Sequence, residues 1–551
     1  ILGYSMLKEK FSVFPLLIVI VLSLSYLLIG FVIVKDYGIT ADEPQDFGIG
    51  HKYLYFYQSG HLDFNDQLPK IANHPDFYNQ FVKVHYPSLF PLANILSAAS
   101  CTLFFEKLGW LKPIPAHHFI IVILTSLFMF ALFILTRKRL GSTIAVLSVL
   151  FLITNPRFFG ETLNNVKDVP ALIFLSLTIL FFNEWACAKK ARYMYLGFLF
   201  WAFTLATKMD GVFVPLILLI WQLPRVFRLF LNGFRLRLRI VLHILLGIVL
   251  SFTSLIFFYP SLLPVSYPNW AEYSRGLLYF CGGFISYFFI AGLNKSISWN
   301  IYALSQIFYT MPVVTLFLFS FGLVYCFKKA RKENTCSLLL IWFFLPVLRH
   351  SLPWASHYDG LRHFLYFLVP FSIIAALGLI SLADYSVKFL KLSKSVSILI
   401  LTSFFLIPNF YSLVNLHPYQ NTYFNILIGG LKGAQKADFP YSCDYWFNSY
   451  QSAGAWLDRN AKNGARCYSF SASSILKYSL TRKDLELADS LPEDISKIIS
   501  NSYIVVVAKK SKNKPFSISR AKLLSDIKSK YSVVYNIKRQ GGEILSIYYK
   551  P

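Results

Sequence analysis

The chain has 551 residues, of which 56% are hydrophobic and only 15% are charged. Soluble domains are about 25% charged, so the composition argues against a soluble globular protein. A formal net charge of +26 would suggest nucleic-acid binding in a soluble chain, but the basic residues cluster at the ends of long apolar blocks. That placement is typical of cytoplasmic loops between membrane spans, and it argues against a nucleic-acid partner.

Eight apolar blocks are almost free of charged residues, and several approach the ~20 residues that an α-helix needs to cross a bilayer. Because a segment in lipid must satisfy its own backbone hydrogen bonds, each block is expected to be helical. The first block is too long for the core of a cleaved signal peptide. The blocks are residues 11–34, 119–135, 171–183, 240–258, 312–327, 338–348, 363–382 and 396–410.

The basic clusters predict the topology once they are placed on the cytoplasmic side. The amino terminus is then inside, the first span leads to a large outer loop at 35–118, and about 11 spans leave the carboxyl terminus outside. Segment 88–105 could also span, but that would move the basic cluster 137–139 outside. We therefore expect it at the outer surface or packed into the bundle. The other spans are expected at 118–136, 141–154, 168–187, 193–207, 211–223, 240–258, 311–327, 337–349, 363–383 and 395–412.

From about residue 415 the composition becomes that of a soluble domain, which predicts a membrane domain at 1–414 and a small outer α/β domain at 415–551. Cys443 and Cys467 both fall in the outer domain, where a disulfide and two buried thiols are both compatible with the sequence. The periodicity predicts a helix at 449–462, strands at 466–471 and 503–508, and a hairpin of 531–537 with 543–549 around Gly541.

The first candidate site is the outer-loop run 38–46, which contains the adjacent acids Asp42 and Glu43. Neighbouring carboxylates raise one another's pKa, and they can act as a general base or bind a metal. The same run could begin a helix, with Thr40 or Asp42 as its cap and Pro44 in the first turn. The two interpretations are compatible, because a helix start would orient the acid.

Two further charged segments fall in outer turns of the same topology. Residues 155–170 contain Lys167 and Asp168, where a span begins, and Lys208 and Asp210 follow in a tight turn. Each segment can be explained by a helix cap or a local ion pair. Charged residues beside a bilayer are costly, however, so they are also candidates for function.

A fourth cluster combines residues 349–350 with Asp359, Arg362 and His363. Arginine forks and a helix start suit a phosphate group. An interfacial belt of long polar side chains is the alternative, and metal binding by His357, Asp359 and His363 has no diagnostic spacing.

All four clusters are expected on one outer face. Acids combined with an arginine–histidine group indicate base-assisted attack with an anionic leaving group. There is no pool of nucleotide sugars or ATP outside the cytoplasm, so the simplest phosphate-bearing substrate there is a lipid phosphate.

The motif Gly38-x-Thr40-x-Asp42-Glu43-Pro44 after the first span resembles the first outer loop of the GT-C glycosyltransferases. The pattern is most similar to the protein O-mannosyltransferases and the lipid A aminoarabinose transferase, and the resemblance covers about residues 1–460. One departure is that His85-Tyr86-Pro87 replaces two consecutive prolines. The other matching segments, in order, are Lys167-Asp168-Val169-Pro170, Thr207-Lys208, Tyr358-Asp359-Gly360-x-Arg362-His363, His417-Pro418-Tyr419-Gln420, Gly429-Gly430 and Asp444-Tyr445-Trp446.

The resemblance implies an all-α polytopic bundle of about 11 transmembrane helices, with juxtamembrane helices in the first outer loop and a small C-terminal α/β domain outside. It also implies transfer of a sugar from a polyprenyl phosphate with inversion, Asp42 being the general base. Glu43 and Asp168 would shape the acceptor site or hold a metal. The residues that would bind the lipid phosphate or the acceptor are Lys167, Lys208, Arg362, His363, Asp359 and His85.

The expected partners are a polyprenyl-phosphate-linked sugar, membrane lipids and an acceptor, which can be a protein hydroxyl, a lipid or a glycan. The expected place is a bacterial inner membrane with the site facing the periplasm or exterior, and metal use stays open. The alternatives are a transporter or lipid flippase and a non-catalytic membrane assembly protein. A transporter should place charged or helix-breaking residues at mid-span, often in two repeats, and neither pattern is visible.

Overall fold

The structure is a computed structural model that describes residues 13–60, 90–230, 234–259, 262–264, 269–285, 299–353, 355, 359–507 and 518–551. Most of it is helical. His85 and His357 lie outside the described residues.

The membrane domain contains sixteen described α-helices, which we number in chain order. The first eight are α1 Phe14–Ile33, α2 Glu43–Ser59, α3 Pro91–Cys101, α4 Pro113–Leu140, α5 Ser142–Ile153, α6 Pro156–Glu161, α7 Asp168–Ala188 and α8 Ala191–Thr207. The next eight are α9 Val214–Phe230, α10 Phe234–Phe258, α11 Trp270–Ile285, α12 Tyr302–Thr310, α13 Val313–Lys329, α14 Asn334–Arg349, α15 Leu368–Leu390 and α16 Lys394–Leu416.

A helix lies at each of the eleven expected spans, which confirms the predicted helical membrane bundle. Six of the described helical segments are long and apolar enough to cross a bilayer, and a seventh is obtained if the bent pair α12–α13 counts as one span. Shorter apolar helices such as α5 and α14 fall below that length. The protein is therefore a multi-pass membrane protein, and the count of 11 spans stays a prediction.

Helices α13 and α15 approach each other closely because glycines face the contact. A β-carbon built on Gly378 would lie 1.9 Å from the Leu318 carbonyl oxygen, and one built on Gly322 would lie 1.8 Å from that of Ile374. Small residues allow such backbone contact between membrane helices, where packing drives association.

We predict that Gly378→Ala destabilises the protein by about 1–3 kcal/mol, because the added methyl group must push the two helices apart. The measurement is the melting temperature of the detergent-solubilised protein, followed by intrinsic fluorescence. Gly282→Ala in α11 is the matched control, since a β-carbon there meets no atom within 4 Å. Equal melting temperatures for the two variants would contradict the packing argument.

The first outer loop folds back onto the bundle through α2 and α3. Helix α3 packs between α2 and α4 and is mostly buried. The part of the expected segment 88–105 that forms α3 is therefore packed into the bundle, which was one of the two expectations. The basic cluster 137–139 ends α4, whereas His117 near its start contacts Glu43 of the loop. The acidic loop and the basic cluster therefore lie at opposite ends of α4.

The C-terminal part contains helices α17 Gly430–Lys436, α18 Tyr450–Asn460, α19 Ser473–Lys477 and α20 Ile518–Lys530 around one sheet. Its strands are β1 Arg466–Ser469, β2 Glu486–Leu487, β3 Ser502–Val507, β4 Ser532–Arg539 and β5 Gly542–Lys550. The order is β2-β1-β3-β5-β4, with β1 parallel to β2 and β3 and with β5 antiparallel to β3 and β4. The predicted helix, strands and hairpin all appear.

A disulfide between Cys443 and Cys467 is not present, so that alternative was wrong. Both side chains are buried thiols. Cys443 packs in the core of the membrane bundle, whereas Cys467 on β1 belongs to the core of the sheet.

The segment after α16 binds the first outer loop directly. Asn448 Oδ1 accepts a hydrogen bond from the Gly38 amide at 2.5 Å, and Gln451 Nε2 donates to the Lys35 carbonyl at 2.6 Å. A β-carbon on Gly38 would lie 2.9 Å from the Asn448 carbonyl oxygen. A glycine at position 38 is therefore needed for this contact, which fixes the loop that carries Asp42.

Candidate active site

Asp42 precedes the first residue of α2, and its side chain makes no cap hydrogen bond. The side chain instead bonds a residue 320 positions away, because Arg362 Nη1 donates to Asp42 Oδ2 at 2.9 Å. Arg362 Nη2 also contacts Asp359 Oδ2 at 3.2 Å, and its guanidinium lies 4.8 Å from the centre of the Trp446 ring. The acid of the first loop and the late arginine cluster thus form one site.

Lys167 connects the loop before α7 to the run 38–46. Its Nζ lies 3.0 Å from Asp46 Oδ2 and 4.0 Å from Asp42 Oδ2. Asn94 of α3 donates to the other oxygen of Asp46 at 3.3 Å. Burial alone would lower the pKa of Lys167, but Asp46 and Asp42 outweigh it and raise the pKa above its usual value.

A second group of charged residues contacts the backbone of Arg362 through Lys208. Lys208 Nζ contacts Asp168 at 2.7 Å and Asp210 at 3.1 Å, and it donates to the Arg362 carbonyl at 3.5 Å. Arg349 Nη1 bonds the other oxygen of Asp210 at 2.7 Å. Acids and cations therefore alternate, and Lys208 connects this group to Arg362.

The loop before α7 is held by a buried polar network. Asn165 Nδ2 donates to Glu161 at 2.6 Å and to Asp168 at 3.0 Å, while Tyr445 donates to the other oxygen of Glu161 at 2.9 Å. Arg157 is fully buried, and its Nε donates to the Tyr423 carbonyl at 2.9 Å. These bonds orient Asp168 toward Lys208.

Glu43 lies beside Asp42 in sequence but is fully buried. One of its oxygens lies 2.9 Å from His117 Nδ1 and 2.7 Å from His118 Nε2. The other oxygen accepts a hydrogen bond from the Thr40 amide at 2.9 Å. The adjacent acids thus have different surroundings: Glu43 fastens the loop to α4, whereas the Asp42 side chain remains 41% exposed.

The electrostatic surroundings keep Asp42 ionised. Burial alone would raise the pKa of Asp42, but the charges of Lys167 and Arg362 outweigh burial and lower the pKa below its usual value. Burial has the larger effect on Asp46, and the pKa of that carboxyl is raised. Asp42 therefore loses its proton more readily than Asp46.

The structure brings Asp42, Lys167, Asp168, Lys208, Asp359 and Arg362 into one connected cluster. His363 adjoins it, since Arg362 Nε donates to His363 Nε2 at 3.2 Å. Glu43 faces the two histidines, and His85 lies outside the described residues.

Several residues of this site were not among the predicted site residues, and they include Asp46, Trp446, His117 and His118. Asp46 was visible only as part of the 38–46 run, and Trp446 only as part of a matched motif. His117 and His118 gave one usable signal, which is a polar pair at the start of an otherwise apolar block.

Within the part of the chain that the structure describes, no three histidine, cysteine or carboxylate side chains are arranged to hold a metal ion. Metal use stays open.

Comparison with known proteins gives a family model and several solved structures. Residues 102–262 match the model of the dolichyl-phosphate-mannose-protein mannosyltransferases. ArnT from Cupriavidus metallidurans bound to undecaprenyl phosphate is similar with a TM-score of 0.50 and 14% identity, over 97% of this chain and 98% of that chain. Its apo form has a TM-score of 0.48 and 12% identity over 97% of both chains.

The archaeal oligosaccharyltransferase AglB from Archaeoglobus fulgidus, in complex with an inhibitory peptide and a dolichol-phosphate, has a TM-score of 0.45 and 13% identity over 88% of this chain and 69% of that chain. No curated protein sequence matches the chain. The findings confirm the predicted fold class, which is that of the GT-C membrane glycosyltransferases. Over residues 102–262 the chain is similar to the mannosyltransferase family named above.

We predict that Glu43→Gln reduces the dependence of stability on acid pH. Burial alone would raise the pKa of Glu43, but His118 and His117 outweigh burial and lower it from 4.5 to about 2. A lowered pKa stabilises the fold above pH 4.5, and that stabilisation, roughly 3 kcal/mol, is lost as the pH falls toward 2.

The measurement is the melting temperature of the purified protein across the acid range. Glu272→Gln is the matched control, because Glu272 forms an exposed ion pair with Arg275. If both variants keep the acid dependence of the unmodified protein, the buried Glu43 contact does not contribute as argued.

Proposed function

We propose that the protein transfers a sugar from a polyprenyl-phosphate donor to an acceptor hydroxyl, on the side of the membrane opposite the basic loops. The contact between Asp42 and Arg362 is the observation that carries this proposal. It joins an ionised acid, able to receive a proton, to a cation able to receive a phosphate.

In the proposed reaction, Asp42 acts as the base and Arg362 binds the leaving phosphate. Asp42 accepts a hydrogen bond from the acceptor hydroxyl, whose oxygen attacks the anomeric carbon from the face opposite the phosphate. The bond from that carbon to the phosphate oxygen breaks, the electron pair leaves with the polyprenyl phosphate, and the hydroxyl proton passes to Asp42. One displacement inverts the anomeric centre and needs no covalent enzyme intermediate.

The leaving phosphate would be bound by Arg362, Lys208 and His363. Arginine suits this task because its planar fork matches phosphate oxygens. Lys208 donates to the Arg362 carbonyl, so its ammonium lies beside the arginine backbone. Stabilising the leaving group in this way is the usual largest contribution to such catalysis.

The other members of the cluster would position these groups. Lys167 holds Asp46 and borders Asp42, while Asp168 holds Lys208. Asp359 shares Arg362 with Asp42. The acceptor would be a protein hydroxyl, a lipid or a glycan, and a bacterial inner membrane with the site facing the periplasm fits the charge distribution.

We predict that Asp42→Asn lowers turnover by about 10²–10⁴-fold, because the amide cannot accept the acceptor proton. The assay is transfer of label from a radiolabelled polyprenyl-phosphate sugar in membranes that contain the full-length protein. Asp384→Asn is the matched control, since Asp384 forms an exposed ion pair with Lys394. Equal transfer by the Asp42 variant and the unmodified protein, at equal amounts of folded protein, would refute the assignment.

We predict that Arg362→Gln moves the acid limb of kcat/KM to higher pH by about one unit, because a neighbouring arginine lowers a carboxylate pKa by roughly that amount or more. The same variant should raise KM for the donor. Arg349→Gln provides the comparison, since Arg349 bonds Asp210 and not Asp42. An acid limb that moves equally in both variants would show that the pH dependence does not come from Asp42.

A further inference from the structure

Helix α12 lies across the end of the bundle that carries the site. It is bent by 120° relative to α13, and only two residues separate the helices. The basic residues Lys328 and Lys329 stand at the other end of α13. Helix α12 therefore lies at the end of α13 opposite these lysines, with its axis at a large angle to that of α13.

The two faces of α12 differ. Ala303, Gln306 and Ile307 are buried against the protein, whereas Leu304 and Phe308 are exposed on the other side. Ile301, just before the helix, is 73% exposed. The positions 301, 304 and 308 recur with the spacing of one helical face.

A second apolar element lies next to this face. Asn425 Nδ2 donates to the carbonyls of Phe308 at 2.6 Å and Met311 at 2.9 Å, and Asn425 Oδ1 accepts the Leu427 amide at 3.0 Å. These bonds hold the tip of a short turn in which Ile426 is 83% exposed and Leu427 is exposed as well.

We call Ile301, Leu304, Phe308, Ile426 and Leu427 the interfacial patch. Neither α12 nor the turn 425–428 contains a charged residue. Contiguous exposed apolar surface of this kind marks a binding site for protein or membrane. Helix α13, which two residues separate from α12, also exposes the apolar side chain of Phe317. A bilayer is therefore the occupant that matches both its chemistry and its position.

We propose that the interfacial patch inserts into the boundary between headgroups and acyl chains of the lipid leaflet next to the active site. Amphipathic helices in such positions are buried about 5–10 Å into that boundary. Unlike most such helices, α12 has no basic residues, so its binding depends on apolar contact and not on anionic lipid.

The patch also fixes the depth of the active site. Tyr302, on the buried side of α12, donates a hydrogen bond to the Gly360 carbonyl at 3.1 Å. Gly360 follows Asp359, which contacts Arg362 at 3.2 Å. On the function proposed above, insertion of the patch holds Arg362 at the level where the phosphate of a lipid-linked sugar lies.

The first test measures insertion independently of catalysis. Phe308→Cys and Ile426→Cys are made in a parent in which the two incompletely buried cysteines, Cys187 and Cys281, are replaced by serine. Each is labelled with a small fluorophore, and the full-length protein is placed in phosphatidylcholine vesicles with and without brominated acyl chains. Ile499→Cys on the exposed surface of the C-terminal module is the control.

Bromine should quench the labels at 308 and 426 and leave the label at 499 unchanged. Labels at 308 and 426 that are no more quenched than the label at 499 would overturn the proposal, whether or not the protein is a transferase.

The second test concerns the donor. Ile426→Asp should raise KM for a long-chain polyprenyl-phosphate sugar in vesicles roughly tenfold, equivalent to about 1.4 kcal/mol of binding. It should leave kcat/KM for a short-chain, water-soluble donor unchanged, because the reacting groups are untouched. Ile499→Asp should change neither. Equal losses with both donors would show a general folding defect and would reject the proposed role of the patch.

Discussion

The ion pair between Asp42 and Arg362 connects parts of the chain that are 320 residues apart. Charges beside a bilayer are costly unless they are paired, and this pair stands at the centre of an alternating series. Lys167 and Asp46 extend it into the first loop, and Asp359 extends it into the loop before α15. The arrangement of this end of the bundle depends on keeping these opposite charges in contact.

Two groups of contacts fix the loop that carries Asp42. Glu43, buried against His117 and His118, ties it to α4. Asn448 binds the Gly38 amide from the other side, so the segment after α16 acts as part of the site's framework and not as a separate lid. With both sides held, Asp42 can keep an exposed carboxylate without a cap hydrogen bond in α2.

Much of this fold could be predicted, because apolar blocks of membrane length and the Gly541 turn are local patterns. The convergence of the run 38–46 with Arg362 was predicted from charge placement and from the ordered motifs. The individual ion pairs were not predicted. A local ion pair of Lys167 was one alternative, but Lys167 contacts Asp46 and Asp42, and Asp168 contacts Lys208. Such choices depend on how helices pack, which no single segment encodes. The histidine pair at 117–118 was missed for the same reason.

Every cation of this series contacts a carboxylate: Lys167 contacts Asp46, Lys208 contacts Asp168, and Arg362 contacts Asp42. On the function proposed above, a phosphate that binds Arg362 would take the place of Asp42 or Asp359, both of which Arg362 contacts. Without such a phosphate, Arg362 Nη1 donates a hydrogen bond to Asp42 Oδ2, and the charge of Arg362 helps to lower the pKa of that carboxyl. On that proposal, binding of the lipid phosphate would raise the basicity of Asp42 when a sugar is present to receive the attack.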